Sequence, residues 1–201
     1  TTLDDITTIA SYKPGHISFC CLTFEENTPL IKREKPMGEE SEIEFLTEGW
    51  KLLKELGYNH YEVSNFAAEG EECIPNKIYW DLGQYIGIGP TAESALGRRE
   101  MVVMRNTESL EEYLSSHAFD VSPLTKDETQ ESYLLKSLRT REGIDKKEYC
   151  DRFLKDFDST YGERIKALDK DTYIDTDNCF SITEKGMLVL DSIILSLAMS
   201  I

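Results

Sequence analysis

The chain has 201 residues, of which 40% are hydrophobic and 30% charged, and its formal net charge is −16. That length bounds it to one large domain or two small ones, and the composition is that of an ordinary globular protein. The charge speaks against nucleic acid as a partner, because phosphate binding rests on a basic face. Residues 1–122 hold 10 Lys and Arg against 22 Asp and Glu, and the remainder holds 12 against 16, so neither half offers such a face.

No apolar run reaches the roughly 18 residues of a membrane helix. The closing MLVLDSIILSLAMSI is interrupted by Asp191 and by serines. The start TTLDDITT lacks the basic and apolar regions of a signal peptide. The first residue is Thr rather than Met, and the chain is read as a piece of something longer.

In chain order, LDDITTIASYK predicts a helix with Leu3, Ile6 and Ile9 or Ala10 on one stripe, ended by Pro14-Gly15. HISFCCLTF reads as a buried strand, and EENTPLIKREKPMGEE, with two prolines, as a surface loop. From Ser41 the apolar positions Ile43, Leu46, Trp50 and Leu53 recur at helical steps, and Gly57 follows as a C-terminal cap. HYEVSNF is the next strand. Strand, helix, strand in this order predicts a βαβ unit and a parallel sheet.

After the loop AAEGEECIPNK, the stretch YIGIGPTAES reads as a strand end and a turn. MVVMRN is a strand and SLEEYLSS a short helix. A change of composition at His117–Pro123 divides the chain into domains 1–118 and 119–201. Beyond it come three short helical patterns, DETQESYLLKSLR, DKKEYCDRFLKDF and STYGERIKAL, with Tyr149, Phe153 and Phe157 four apart on one face. TYIDTDNCFSIT reads as two short strands about Asp177-Asn178, and Thr183 caps a final helix. Three helices, a hairpin and a helix make a winged-helix-like module.

Cys20, Cys21, Cys73, Cys150 and Cys179 contain no CxxC pair and are odd in number. They are read as reduced cysteines acting as small hydrophobes in a cytoplasmic protein, not as a zinc ribbon or a disulfide framework. Gly87 and Gly89, alternating with Ile86 and Ile88, suit either close approach of a cofactor to the backbone or a bulge or tight turn. Asn76, Tyr79 and Trp80 suit either core packing or an aromatic cradle. Glu62 lies on a strand where a buried carboxylate would need a partner. His16 is either a hydrogen-bonded core histidine or a site residue at a strand start.

Six segments, in this order, resemble the C-terminal half of the HemW family, the heme chaperones often labelled oxygen-independent coproporphyrinogen III oxidase-like proteins, within the radical SAM superfamily. They are HIS with the following EENTPL, GYNHYEVSNFA, PNKIYW, YIGIGPTAES, LRTREGID and FSITEKGMLVLDSII, which span residues 16 to 198. HemW fits better than its relative HemN, the coproporphyrinogen oxidase. The resemblance implies an α/β fold, α+β overall: the C-terminal portion of a partial (β/α) radical SAM barrel, followed by a small winged-helix-like, mostly helical HemN-type domain.

For the full-length protein the resemblance implies S-adenosyl-L-methionine and a [4Fe–4S] cluster, with a tetrapyrrole or heme as substrate. It places Gly87, Gly89, Ala92, His16 and Glu62 toward S-adenosylmethionine or substrate, and makes Asn76, Tyr79 and Trp80 part of the family signature. Two signature histidines are replaced, by Pro75 and by Glu93 within Ala92-Glu93-Ser94, which removes the natural heme ligands there. The CxxxCxxC triplet that would hold the cluster does not occur in this chain. By itself the chain is therefore expected to bind no cluster and to be inactive, with no catalytic residue and no metal ligand of its own.

A non-catalytic heme- or protein-binding module is the second reading, and a winged-helix DNA regulator the third. A cut barrel would also expose a strand edge, through which the chain is expected to dimerise unless its N-terminal helix covers it.

Overall fold

The computed structural model describes residues 2–25 and 28–198. Glu26 and Asn27 of the predicted loop, and residues 199–201 of the closing apolar stretch, lie outside the described residues. The chain forms two compact units, one up to Cys73 and one from Ile74 onward. The division predicted after residue 118 falls inside the second unit.

The first unit contains α1 (Thr2–Ser11), β1 (His16–Ser18), α2 (Glu39–Glu55), β2 (Asn59–Glu62) and β3 (Asn65–Ala67). Leu53 and Phe66 are completely buried and Trp50 nearly so, which makes the α2 stripe and β3 the centre of this core. The His60 ring stacks on Phe66 at 4.2 Å and meets Trp50 at 4.8 Å. Phe19 packs so closely over Gly49 that a Cβ there would come within 2.3 Å of the ring.

The predicted parallel βαβ sheet is not what forms. The sheet order is β1-β3-β2, and β3 is antiparallel to both neighbours. HYEVSNF is two strands joined by a turn at Val63-Ser64, not one. Ser64 and Asn65 are turn formers, and with them the chain reverses and inserts β3 between the two strands that were expected to pair. The buried strand predicted over HISFCCLTF is also shorter. It ends at Ser18, one further bond runs from Phe19 N–H to Ser64 O at 2.8 Å, and Cys20 is exposed. All five thiols are free.

The second unit contains α3 (Ile74–Trp80), β4 (Glu93–Gly97), β5 (Met101–Asn106), α4 (Leu110–Ser116), β6 (Phe119–Pro123), α5 (Lys126–Ser137), β7 (Ile144–Asp145), α6 (Lys146–Phe153), α7 (Phe157–Ile165), β8 (Tyr173–Asp175), β9 (Cys179–Ile182), α8 (Glu184–Met187) and α9 (Leu190–Ala198). Its two sheets, β4-β5-β6 and β7-β9-β8, are antiparallel throughout. Among the described residues no strand pair is parallel, so the class is α+β with small separate sheets.

Local chemistry accounts for most of these elements. Thr125 and Glu128 form a reciprocal capping box that starts α5. The Thr183 side chain accepts the Gly186 N–H as the predicted cap, but the predicted final helix is broken into α8 and α9. The predicted second helix ends early: Leu154 leaves α6 at a φ of 56°, and Phe157 instead opens α7, the predicted third helix. Even so, the Tyr149 ring meets Phe153 at 5.1 Å and Phe157 at 5.3 Å. The predicted strand end over YIGIG makes only one isolated bridge, Tyr85 with Ala95. The end of the predicted loop AAEGEECIPNK is instead helical from Ile74 through Trp80, and Pro75 is tolerated in the first turn because no intrahelical N–H is needed there.

Candidate functional site

The predicted site residues fall into two groups. His16 and Glu62 belong to the first unit, and Asn76, Tyr79, Trp80, Gly87, Gly89 and Ala92 to the second.

In the first unit, alternation along the strands sends Ile17 and Phe66 into the core and turns their neighbours the other way. His16 stands across the ladder from Ala67, and Ser18 from Asn65. His16 Nε2 and Tyr61 Oη share a hydrogen bond of 2.9 Å, with the two rings edge to face. Ser18 Oγ donates to Asn65 Oδ1. Tyr61 owes its position to the irregularity between His60 and Glu62, where the β2 register shifts. Such a bulge re-aims a side chain. Glu62 lies opposite Asn65 and is fully buried. A carboxylate held there is costly unless polar groups surround it. The result is a short polar strand surface of a histidine, a tyrosine and hydroxyl and amide groups beside a buried acid.

In the second unit the glycine stretch is a loop pinned by side chains. Gly87 N–H donates to Ser94 Oγ at 3.0 Å, and Gly89 N–H donates to Tyr113 Oη at 3.1 Å. Asn106 Nδ2 donates to the Gly89 carbonyl at 2.9 Å and more weakly to that of Gly87 at 3.4 Å. Ala92 N–H donates to Gly89 O, and Asn106 N–H to Ala92 O. The amides and carbonyls of both glycines thus have partners within this chain.

The two glycines serve different needs. A Cβ on Gly87 would lie 2.3 Å from Glu93 O, so the residue is required by close approach of backbone to backbone. Gly89 has open space about it but a φ of +111°, which L side chains rarely adopt. Between the alternatives that the sequence left open, the geometry is that of a tight turn closed on its own chain. Ile86 and Ile88 point outward, 74% and 87% exposed.

Asn76, Tyr79 and Trp80 lie three and four residues apart on α3, hence on one side of it. Tyr79 meets Tyr85 edge to face at 4.6 Å, which links this helix to the glycine loop. The Arg139 guanidinium lies 5.9 Å from the Trp80 ring centre. Glu93, at the position of one missing family histidine, accepts the Tyr85 hydroxyl at 3.2 Å. Burial, then the Glu93 carboxylate, push the Tyr85 pKa up to about 12.

Asn106, Tyr113 and Tyr61 were not singled out from the sequence. Asn106 follows Gly87 by 19 residues and Tyr113 follows Gly89 by 24, so no local pattern couples them. Asn106 also lines an open recess of about 590 Å³ with Thr107, Glu112 and Phe119.

The donor set does not fit an iron–sulfur cluster. Among the described residues no group of three His, Cys, Asp or Glu side chains is placed to hold a metal, and a cluster needs thiolates converging on one face. No helix of the described residues is long and apolar enough to cross a membrane.

Comparison with known proteins places these features. Residues 124–189 match the model of the HemN C-terminal domain. The heme chaperone HemW of Buchnera aphidicola subsp. Schizaphis graminum is 30% identical over 200 residues, covering 94% of this chain and 52% of that protein. HemW of Haemophilus influenzae is 26% identical, covering 96% of this chain and 51% of that protein. The bovine mitochondrial radical S-adenosyl methionine domain-containing protein 1 is 39% identical over 82 residues, 38% of this chain and 19% of that protein. The structure of Escherichia coli coproporphyrinogen III oxidase, HemN, described as a radical SAM enzyme, superposes with a TM-score of 0.71 at 17% identity. That match covers 98% of this chain and 50% of HemN. The chain spans about half the length of the HemW proteins it matches along its length. The chain is thus similar along nearly all of its length to HemW heme chaperones, shares the fold of half of HemN, and carries a match to the HemN C-terminal domain.

Proposed function

We propose that the chain is the C-terminal part of a HemW-like radical SAM protein and serves tetrapyrrole or heme handling in the cytoplasm. One observation carries this reading: proteins named as heme chaperones align along more than nine-tenths of the chain. In the whole protein the cluster and S-adenosylmethionine would be held by residues outside this chain, whose cysteines do not converge. The chain would supply wall and cover, the last strands of a partial barrel and a winged-helix-like domain. A family-domain division near residue 118 is part of this reading, and the HemN C-terminal match beginning at residue 124 supports it.

Within that arrangement, His16, Tyr61 and Glu62 form the polar surface toward the substrate. Gly87, Gly89 and Ala92 contribute close backbone approach rather than hydrogen bonds, since their polar groups are already bound within the chain. Asn76, Tyr79 and Trp80 brace the loop from α3. Both outer strands of the first sheet, β1 and β2, have a side that no described strand pairs, which supports self-association through a sheet edge. A monomer in light scattering at high concentration would sink that part.

Two measurements test the reading. The gene sequence upstream of Thr1 should encode CxxxCxxC, and its absence there would remove the radical SAM assignment. Hemin titrated into the chain should give a shifted, saturable absorption band, weakened by His16→Ala. An unshifted band in the unmodified chain would remove the heme-handling role from this half.

A further inference from the structure

The second unit holds a recess whose charge opposes that of the whole molecule. The protein carries 38 acidic against 22 basic residues. Nevertheless Arg99, Lys126, Arg152 and Lys155 all line one cavity of about 250 Å³, with Asp127 as the carboxylate among them and Phe153 and Leu154 as its apolar side.

Arg152 is the unusual member. It is only 4% exposed, yet its hydrogen bonds go to neutral atoms. Nε donates to Arg98 O at 2.7 Å, Nη1 to Asp81 O at 3.2 Å, and Nη2 to Leu82 O at 3.0 Å. The guanidinium also lies 5.1 Å from the Tyr133 ring centre and 5.7 Å from that of Phe153. Carbonyl dipoles orient the cation but do not cancel its charge, and burial pushes its pKa below the usual arginine value. Asp81 and Glu148 act on it through space, and Glu148 is itself engaged by Arg98 at 2.9 Å.

The outer cations are held loosely. Lys126 pairs with Glu100 at 3.4 Å and Lys155 with Asp127 at 3.3 Å, both largely exposed. Lys155 also donates to Gln130 at 2.8 Å, and Arg99 donates to the Asp151 carbonyl at 3.1 Å. Exposed ion pairs contribute little to stability, so exchanging these partners for a ligand's oxygens costs little.

We propose that this recess binds a small organic anion, a carboxylate or phosphate on an apolar body. Its oxygens are met by Arg99, Lys126 and Lys155, the buried charge of Arg152 lies behind them, and its apolar part rests on Phe153 and Leu154. The volume lies just below the roughly 300–1,000 Å³ of pockets for drug-sized ligands. The occupant is therefore far smaller than a tetrapyrrole macrocycle, and the site stands or falls independently of the hemin titration.

The test is a calorimetric titration of the 201-residue chain at low ionic strength with benzoate, phenylphosphate, inorganic phosphate and benzyl alcohol. The two aromatic anions should saturate one site, and the tighter of them identifies the preferred oxyacid. Inorganic phosphate should bind more weakly, and neutral benzyl alcohol should not compete. Arg99→Glu and Lys155→Glu should each weaken the aromatic anions at least about tenfold, because each replaces a facing cation by a like charge. Lys170→Glu, the same charge change outside the recess, should leave them unaffected. Absence of saturable binding by both aromatic anions would overturn the proposal, as would equal weakening by Lys170→Glu. Arg152 is left unaltered because it fastens three backbone carbonyls.

Discussion

The strand surface around His16 and the loop around Gly87 both come from segments that resemble family signatures, and they use their polar atoms in opposite ways. In the first, side chains carry the chemistry: a histidine is bonded to a tyrosine that a bulge has turned toward it, beside a fully buried glutamate. In the second, the backbone carries it, and Ser94, Tyr113 and Asn106 take up the glycine amides and carbonyls. A glycine-rich turn marks a ligand site only while its N–H and C=O groups remain directed outward. Here they are directed inward, and the loop's contribution is its shape.

The sharpest way to break this contrast is to fill the loop. Gly87→Ala should destabilise the chain by about 3 kcal/mol, because the added methyl meets a backbone carbonyl that cannot move aside. Gly89→Ala meets no atom and should cost about 1–2 kcal/mol, from backbone strain alone. Denaturant midpoints of the two variants measure the difference. Equal losses would mean that packing against Glu93 is not what fixes Gly87.

A smaller effect is expected on the strand surface. Tyr61→Phe removes one partly buried hydrogen bond, worth about 1 kcal/mol. The loss should appear as a lowered denaturant midpoint and as altered chemical shifts of the His16 ring at fixed pH. An unchanged midpoint with unaltered His16 ring signals would show that the pair is not formed in solution.

The smallest effect concerns pH. The Tyr85 hydroxyl has a folded pKa of about 12, above its unfolded value, so its neutral form favours the folded state. That stability is fully present below the unfolded tyrosine pKa of roughly 10 and is lost as pH rises toward the folded one. Tyr85→Phe should flatten the alkaline slope of stability in that window. An unchanged slope would assign it to other groups.

Much of the second unit was legible because its determinants are local. MVVMRN, SLEEYLSS, the hairpin about Asp177-Asn178 and the cap at Thr183 each depend on residues within a few positions of one another. The first sheet was legible as strands but not as a topology. Nothing in the apolar pattern of HYEVSNF distinguishes one strand from two, and a two-residue turn at Val63-Ser64 decides whether the neighbours pair in parallel. The helix from Ile74 to Trp80 was hidden within a segment read as loop, because a proline in the first turn of a helix gives no local helical signal although that turn accepts it.

The sequence by itself determined the family resemblance, the acidic balance of charge, most of the helices and strands and the missing cluster motif, all of which are properties of residues in order. Tertiary structure alone decided the fate of the glycines, the meeting of His16 with Tyr61 and the gathering of four cations around one recess. The physical reason is distance along the chain. Asn106 reaches Gly87 across 19 residues, Tyr61 reaches His16 across 45, and Arg152 reaches Arg98 across 54. Contacts of that span are set by how sheets and helices pack, and no local spacing encodes them.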